Sequence, residues 1–198
     1  MTGQMMHVYG DRISGNCLKV KWVADRLGLA YDWVDVDISK GETRTPDFLA
    51  LNPAGQVPAV RFADGRVLAQ SNAIIRYLAR DSALIPADPF EAARMDEWLF
   101  WEQYSHEPYI AVCRFQRLYL GRPSADLDPE KVRRGYAALD RMEAHLAAGG
   151  PYLVADRLSL ADIALVAYTR VAHEGDFDLA AYPAIRHWID VLESELGL

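Results

Sequence analysis

Over roughly the first eighty residues the period of the apolar positions switches several times, as it does where strands and helices alternate and not where helices bundle. Residues 6–9 read as a short strand. Asn16 is placed to cap a helix that runs through Val20, Val23 and Leu27 and stops at Gly28, a common C-terminal glycine. Over residues 31–37 apolar and aromatic positions alternate with Asp32, Asp35 and Asp37, the period of a strand with one wet edge. A polar stretch and a short helical segment near Phe48 follow. Residues 58–62 and 66–69 then flank Ala63-Asp64-Gly65, a hairpin signal. Ser71 caps an apolar-periodic helix over residues 72–80.

Two prolines and two aspartates within residues 81–89 predict a linker, and so a division into domains at 1–82 and 83–198. Beyond the linker every periodic segment is helical. One long helix is expected from Pro89 to about Leu120, kinked at Pro108. Asp128-Pro129-Glu130 is a cap followed by proline in the first turn, and Gly149-Gly150 ends that helix. Ser159-Leu160-Ala161-Asp162 is a capping box, with Leu158 and Ile163 as its staple. A last helix is expected over about residues 183–196.

The chain has 198 residues, of which 51% are hydrophobic and 25% charged, enough apolar material for a core. No apolar run reaches the length of a membrane span, and the N-terminus does not read as a secretory signal, so a cytoplasmic protein without a membrane partner is expected. The net charge of -7 weighs against nucleic acid as the partner. That charge is uneven: residues 1–82 carry ten basic and nine acidic side chains (+1), and residues 83–198 carry eleven and nineteen (-8). Cys17 and Cys113 do not make a disulfide framework or a C-x-x-C pair. The five histidines lack metal-ligand spacing, so no metal is expected. No G-x-G-x-x-G or Walker loop suggests a nucleotide.

Four segments carry the chemistry: the run from Tyr9 through Ser14 to Cys17, Asn52-Pro53-Ala54-Gly55-Gln56-Val57-Pro58 before the third strand, Gln70-Ser71-Asn72-Ala73-Ile74, and the box from Ser159 to Asp162. With the order β-α-β-α-β-β-α ahead of a helical half, the whole chain resembles the cytosolic glutathione transferases, with a bacterial serine-type S-x-x-C motif at Ser14 and Cys17. The fold this resemblance implies is an α/β thioredoxin-like domain followed by an all-α domain. The function it implies is activation of the glutathione thiol for conjugation to an electrophilic, largely apolar small molecule, with glutathione as co-substrate. It also implies a homodimer. Alternatives on the same site are isomerisation, dehalogenation or peroxide reduction, and a non-catalytic interaction module is a further one.

By that resemblance Ser14 donates a hydrogen bond to the glutathione sulfur. Ser14 is also simply a helix-start residue on local sequence, and Tyr9, Asn16 and Cys17 compete for the sulfur. Val57, before a proline that is cis in the family, is expected to pair with the cysteinyl unit, and Gln56 to lie near the glycyl carboxylate. Gln70 and Ser71 are expected at the γ-glutamyl end, where a helix N-terminus favours an anion. A second-substrate pocket between the domains is expected to use Ile13, Tyr104, His106 and Tyr109, although a lone helical histidine is more often structural.

Overall fold

A computed structural model describes residues 5–198. The chain divides into two compact units, the first ending at Ser82 and the second beginning at Ala83.

The first unit contains β1 (Met6–Gly10), α1 (Gly15–Arg26), β2 (Tyr31–Asp35), α2 (Pro46–Leu51), β3 (Ala59–Arg61), β4 (Val67–Ala69) and α3 (Ser71–Leu78). The strands form one sheet in the order β2-β1-β3-β4. β1 and β2 run parallel through the α1 crossover, while β1–β3 and β3–β4 are antiparallel. In β1 the side chains alternate: Met6, Val8 and Gly10 are buried, and His7 and Tyr9 are half-buried on the opposite face. Val8 and Val60 are wholly buried, as are Val20, Val23 and Ala24 of α1 and Ile74 and Ile75 of α3. Gly10 lies so close beneath α1 that a Cβ would come 2.8 Å from the Trp33 ring and 3.1 Å from the Cys17 Cβ.

The expected elements are present, with shifted ends. β2 stops at Asp35, two residues short of the alternating pattern. The cap position of α1 is Ser14 and not Asn16, and that of α3 is Gln70 and not Ser71. Asn16 falls inside the first turn because the chain already enters helical geometry at Gly15.

The second unit contains α4 (Pro89–Trp101), α5 (Glu107–Leu118), α6 (Pro129–Gly149), α7 (Leu160–Thr169) and α8 (Pro183–Leu196). The single long helix expected from Pro89 is instead two helices joined by a π-helical turn, Glu102–His106. Pro108 has no N–H to give and its ring crowds the preceding turn. The backbone widens by one residue ahead of it, and Pro108 takes a first-turn position of α5.

Every residue of α7 is buried, so its nearly uniform apolar sequence fits a central helix with no wet face. Asp162 is the exception in chemistry but not in burial. Its carboxylate accepts from Ser159 N–H (2.9 Å), Ser159 Oγ (2.8 Å), Leu153 N–H (2.8 Å) and Trp188 Nε1 (3.1 Å). These bonds complete the capping box and tie α7 to α8 and to the preceding loop. Burial still pushes the Asp162 carboxyl up from the usual range, against the pull of those donors.

Candidate functional site

Sheet register brings three separate segments to one end of the first unit. Tyr9 pairs with Ala59, so Val57-Pro58 runs beside the loop that follows Gly10. Ala59 also pairs with Ala69, which sets Gln70 and Ser71 beside Val57-Pro58 on the other side. Val57-Pro58 is a cis peptide, as the resemblance implies.

Asp11, which sequence reasoning did not single out, shapes the loop before α1. Its Oδ1 accepts from the N–H groups of Ile13 (2.9 Å) and Ser14 (3.2 Å), an Asx turn that the spacing Asp11-x-x-Ser14 signals. Ser14 is thereby held at the cap position, only 9% exposed, and its side chain makes no cap bond to α1. Its hydroxyl instead hydrogen-bonds the Cys17 sulfur.

α3 begins in the same unfinished way. Gln70 is exposed, has φ +70°, a backbone region disfavoured for any side chain, and makes no cap bond. Backbone strain of this kind concentrates at functional sites. Ser71, buried, donates its hydroxyl proton to Asn16 Oδ1 at 3.1 Å. That bond joins the first turns of two helices 55 residues apart in sequence. Two helix N-termini, each with partial positive charge, therefore meet at the sheet end where the three segments converge.

The loop between α2 and β3 is held from within. Asn52 Nδ2 donates to the Gln56 carbonyl (2.7 Å), and Asn52 Oδ1 accepts from Ala54 N–H (3.2 Å). Gly55 sits at φ +61°, a region that favours glycine, with the Arg44 guanidinium against its Cβ position. Gln56 is exposed and Val57 half-buried.

The competitors for the sulfur separate by position. Tyr9 points to the sheet face opposite Gly10 and α1. There the Arg61 guanidinium lies 5.6 Å from its ring centroid, and it lines a groove of about 610 Å³ with Val36, Phe48 and Leu51. Cys17 is wholly buried, and burial pushes its thiol up to about 11 despite the Ser14 hydrogen bond, so it stays protonated at neutral pH. Asn16 is engaged by Ser71 and by Lys19, whose Nζ donates to Asn16 Oδ1 at 2.8 Å.

The candidates for the second substrate are in different environments. Ile13 is 51% exposed beside Ser14. Tyr104 is 83% exposed on the π turn. Tyr109 is half-buried, its hydroxyl accepting from Arg134 at 2.9 Å. His106 is wholly buried, with Nε2 2.9 Å from Thr169 Oγ1 on α7, the setting of a core histidine and not of a pocket wall.

Comparison with known proteins identifies the family. The family model described as glutathione S-transferase, N-terminal domain, matches residues 13–81, and that of the C-terminal domain matches residues 98–195. Among solved structures, a glutathione S-transferase from Pseudomonas fluorescens is 49% identical with a TM-score of 0.91, over 96% of this chain and 94% of that one. Among curated relatives, glutathione S-transferase 3 of Zea mays is 35% identical over 94% of this chain and 88% of its own length. Maleylacetoacetate isomerase of Rhizobium meliloti is also 35% identical, over 84% of this chain and 81% of its own. The N-terminal match takes in Ser14, Val57-Pro58 and Gln70-Ser71, and relatives align along nearly the full length; the chain belongs to the glutathione S-transferase family.

Proposed function

We propose that the chain is a serine-type glutathione transferase in which Ser14 activates the sulfur. The observation that carries this reading is the meeting of two helix starts left without side-chain caps, one of which places the Ser14 hydroxyl at its tip. A free thiol of pKa about 8.5 is only a few per cent ionised at pH 7. Lowering it by two units needs about 2.7 kcal/mol. A hydrogen bond to a charged sulfur supplies about 1.5 to 3 kcal/mol and the α1 end about 0.3 to 1 more.

Val57 offers its backbone N–H and C=O to the cysteinyl unit of glutathione, as an added strand would be held. Ser71 and the first turn of α3 take the γ-glutamyl carboxylate, with Gln70 at the same end and Gln56 near the glycyl carboxylate. The thiolate then attacks the electrophilic carbon: a C–S bond forms, the leaving group departs with its bonding pair, and the thiol proton passes to solvent. Ile13, exposed beside Ser14, is the proposed contact for an apolar electrophile. Cytoplasmic location and a homodimer belong to the same proposal, supported by the family alone. Elution as a species of 22.2 kDa would count against the dimer.

Conjugation of glutathione to an aryl halide by wild type and Ser14→Ala tests the assignment. The variant is expected to lose about 100-fold in kcat/KM at pH 7, the equivalent of two pKa units, with its thermal midpoint nearly unchanged. Equal rates overturn the role of Ser14, and a wild type that fails to bind glutathione points to an interaction module. Isomerisation is the second reading, favoured by the 35% identity to a maleylacetoacetate isomerase. A wild type that binds glutathione but turns over only an isomerisable unsaturated diacid would select it.

A further inference from the structure

Lys19 lies in the second turn of α1 and is wholly buried, which a lysine almost never is without a partner and a purpose. Its Nζ donates to Asn16 Oδ1 at 2.8 Å, and the Ser71 hydroxyl donates to the same oxygen at 3.1 Å. Two donors on one carbonyl oxygen use both of its lone pairs and fix which way the Asn16 amide faces. The direction of the Ser71 O–H is fixed with it, its proton committed to Asn16. None of the three side chains caps a helix, so the arrangement is not explained by helix termination.

We propose that Lys19 is a positioning residue of the glutathione site, a buried cation that orients Asn16, through it Ser71, and keeps positive potential behind the joined ends of α1 and α3. The inference rests on the reading of those ends as the glutathione site. Glutathione is a net anion that becomes more negative when its thiol ionises, and a charge sealed from water acts on it with little screening. Burial raises the Cys17 thiol, and the Lys19 charge is among the groups that pull it back toward the ionised form. With the Ser71 proton held by Asn16, the backbone N–H groups of Ser71 and the rest of the first turn of α3 are what meet the carboxylate.

The test compares Lys19→Met, Lys19→Arg and Asn16→Ala by calorimetric titration with glutathione and by ultraviolet titration of the bound thiolate against pH. Lys19→Met keeps the volume and removes the charge, and exchanging a buried charge for an apolar group is commonly tolerated by the fold. It is expected to weaken glutathione binding about tenfold and to raise the bound thiol's pKa by about one unit. Lys19→Arg is expected to restore most of the titration shift, which a merely space-filling role would not do. Asn16→Ala keeps the cation and cuts the link to Ser71, so affinity falls while the thiol titration stays near that of wild type. This variant decides the matter if Lys19→Met does not fold: unchanged affinity in Asn16→Ala overturns the link. Wild-type affinity and titration in Lys19→Met overturn the inference alone, whereas a wild type that does not bind glutathione overturns it together with the proposed function.

Discussion

In the second unit, α4 begins on Asp88, which accepts from Phe90 N–H and Glu91 N–H, and α6 on Asp128, which accepts from Glu130 N–H. α7 begins on its capping box, and α8 is closed from a distance by Glu143 of α6, which accepts from Ala184 N–H and Ile185 N–H. α1 and α3 of the first unit begin instead on Ser14 and Gln70, whose side chains make no cap bond. A cap contributes about 1 kcal/mol. Two of them are omitted at the place where three sheet-end segments converge. The helical unit spends these polar groups on its own helix starts, whereas α1 and α3 leave theirs without a side-chain cap.

The largest effect expected from breaking this contrast is at Asp162. Asp162→Ala strands the N–H groups of Leu153, Ser159 and Trp188 in a dry interior, and a loss of about 3 to 5 kcal/mol is expected in denaturant unfolding. An unfolding free energy within 1 kcal/mol of wild type, on the order of a single surface cap, would remove the distinction drawn between the units.

Next in size is an alkaline effect behind the open end of α1. The Cys17 thiol is raised from 9.0 to about 11 in the folded chain, first by burial. An acid whose folded pKa is raised contributes stability that is complete below the unfolded value and lost as pH climbs through the folded one. Wild type should therefore lose about 2 to 3 kcal/mol between pH 9 and 11 from this group, a slope that Cys17→Ala lacks. Parallel pH profiles of the two proteins would show that the thiol ionises unhindered.

Glu143→Ala is expected to cost about 1 kcal/mol, read from the thermal midpoint, with glutathione binding untouched. The smallest change in stability is at Gln70, where φ is +70°. Gln70→Gly relieves the backbone but adds freedom to the unfolded chain, so stability should move by less than about 1 kcal/mol. The KM for glutathione should rise all the same. A variant that binds glutathione as tightly as wild type would show the strained residue to have no part in recognition.

Much of the fold was legible because its signals are local. Gly28 after α1, Asp64-Gly65 in the hairpin, Asp128-Pro129 before α6 and the box at Ser159 each act within a few residues, and each stands where its sequence says. The segments now joined at the sheet end were legible as separate motifs, and Ser14, Val57 and Ser71 came from them by resemblance. What was missed depends on distance in sequence. Asn16 reads as a cap until Ser71, 55 residues on, claims its oxygen. Lys19 is not singled out, because nothing adjacent to it in sequence shows that it is buried. His106 reads as a pocket residue until Thr169 takes its ring nitrogen, 63 residues away.

The π turn at Glu102–His106 sets the angular phase of everything after it in that run of helix. Each residue of an α-helix advances the side-chain direction by about 100°. Closing the turn to regular α geometry with its residue count unchanged would swing the following side chains by about that angle about the axis. Ile110 and Cys113, now wholly buried, would rotate off the core. The wide turn thus absorbs one extra residue and keeps the helix after it in phase with the core.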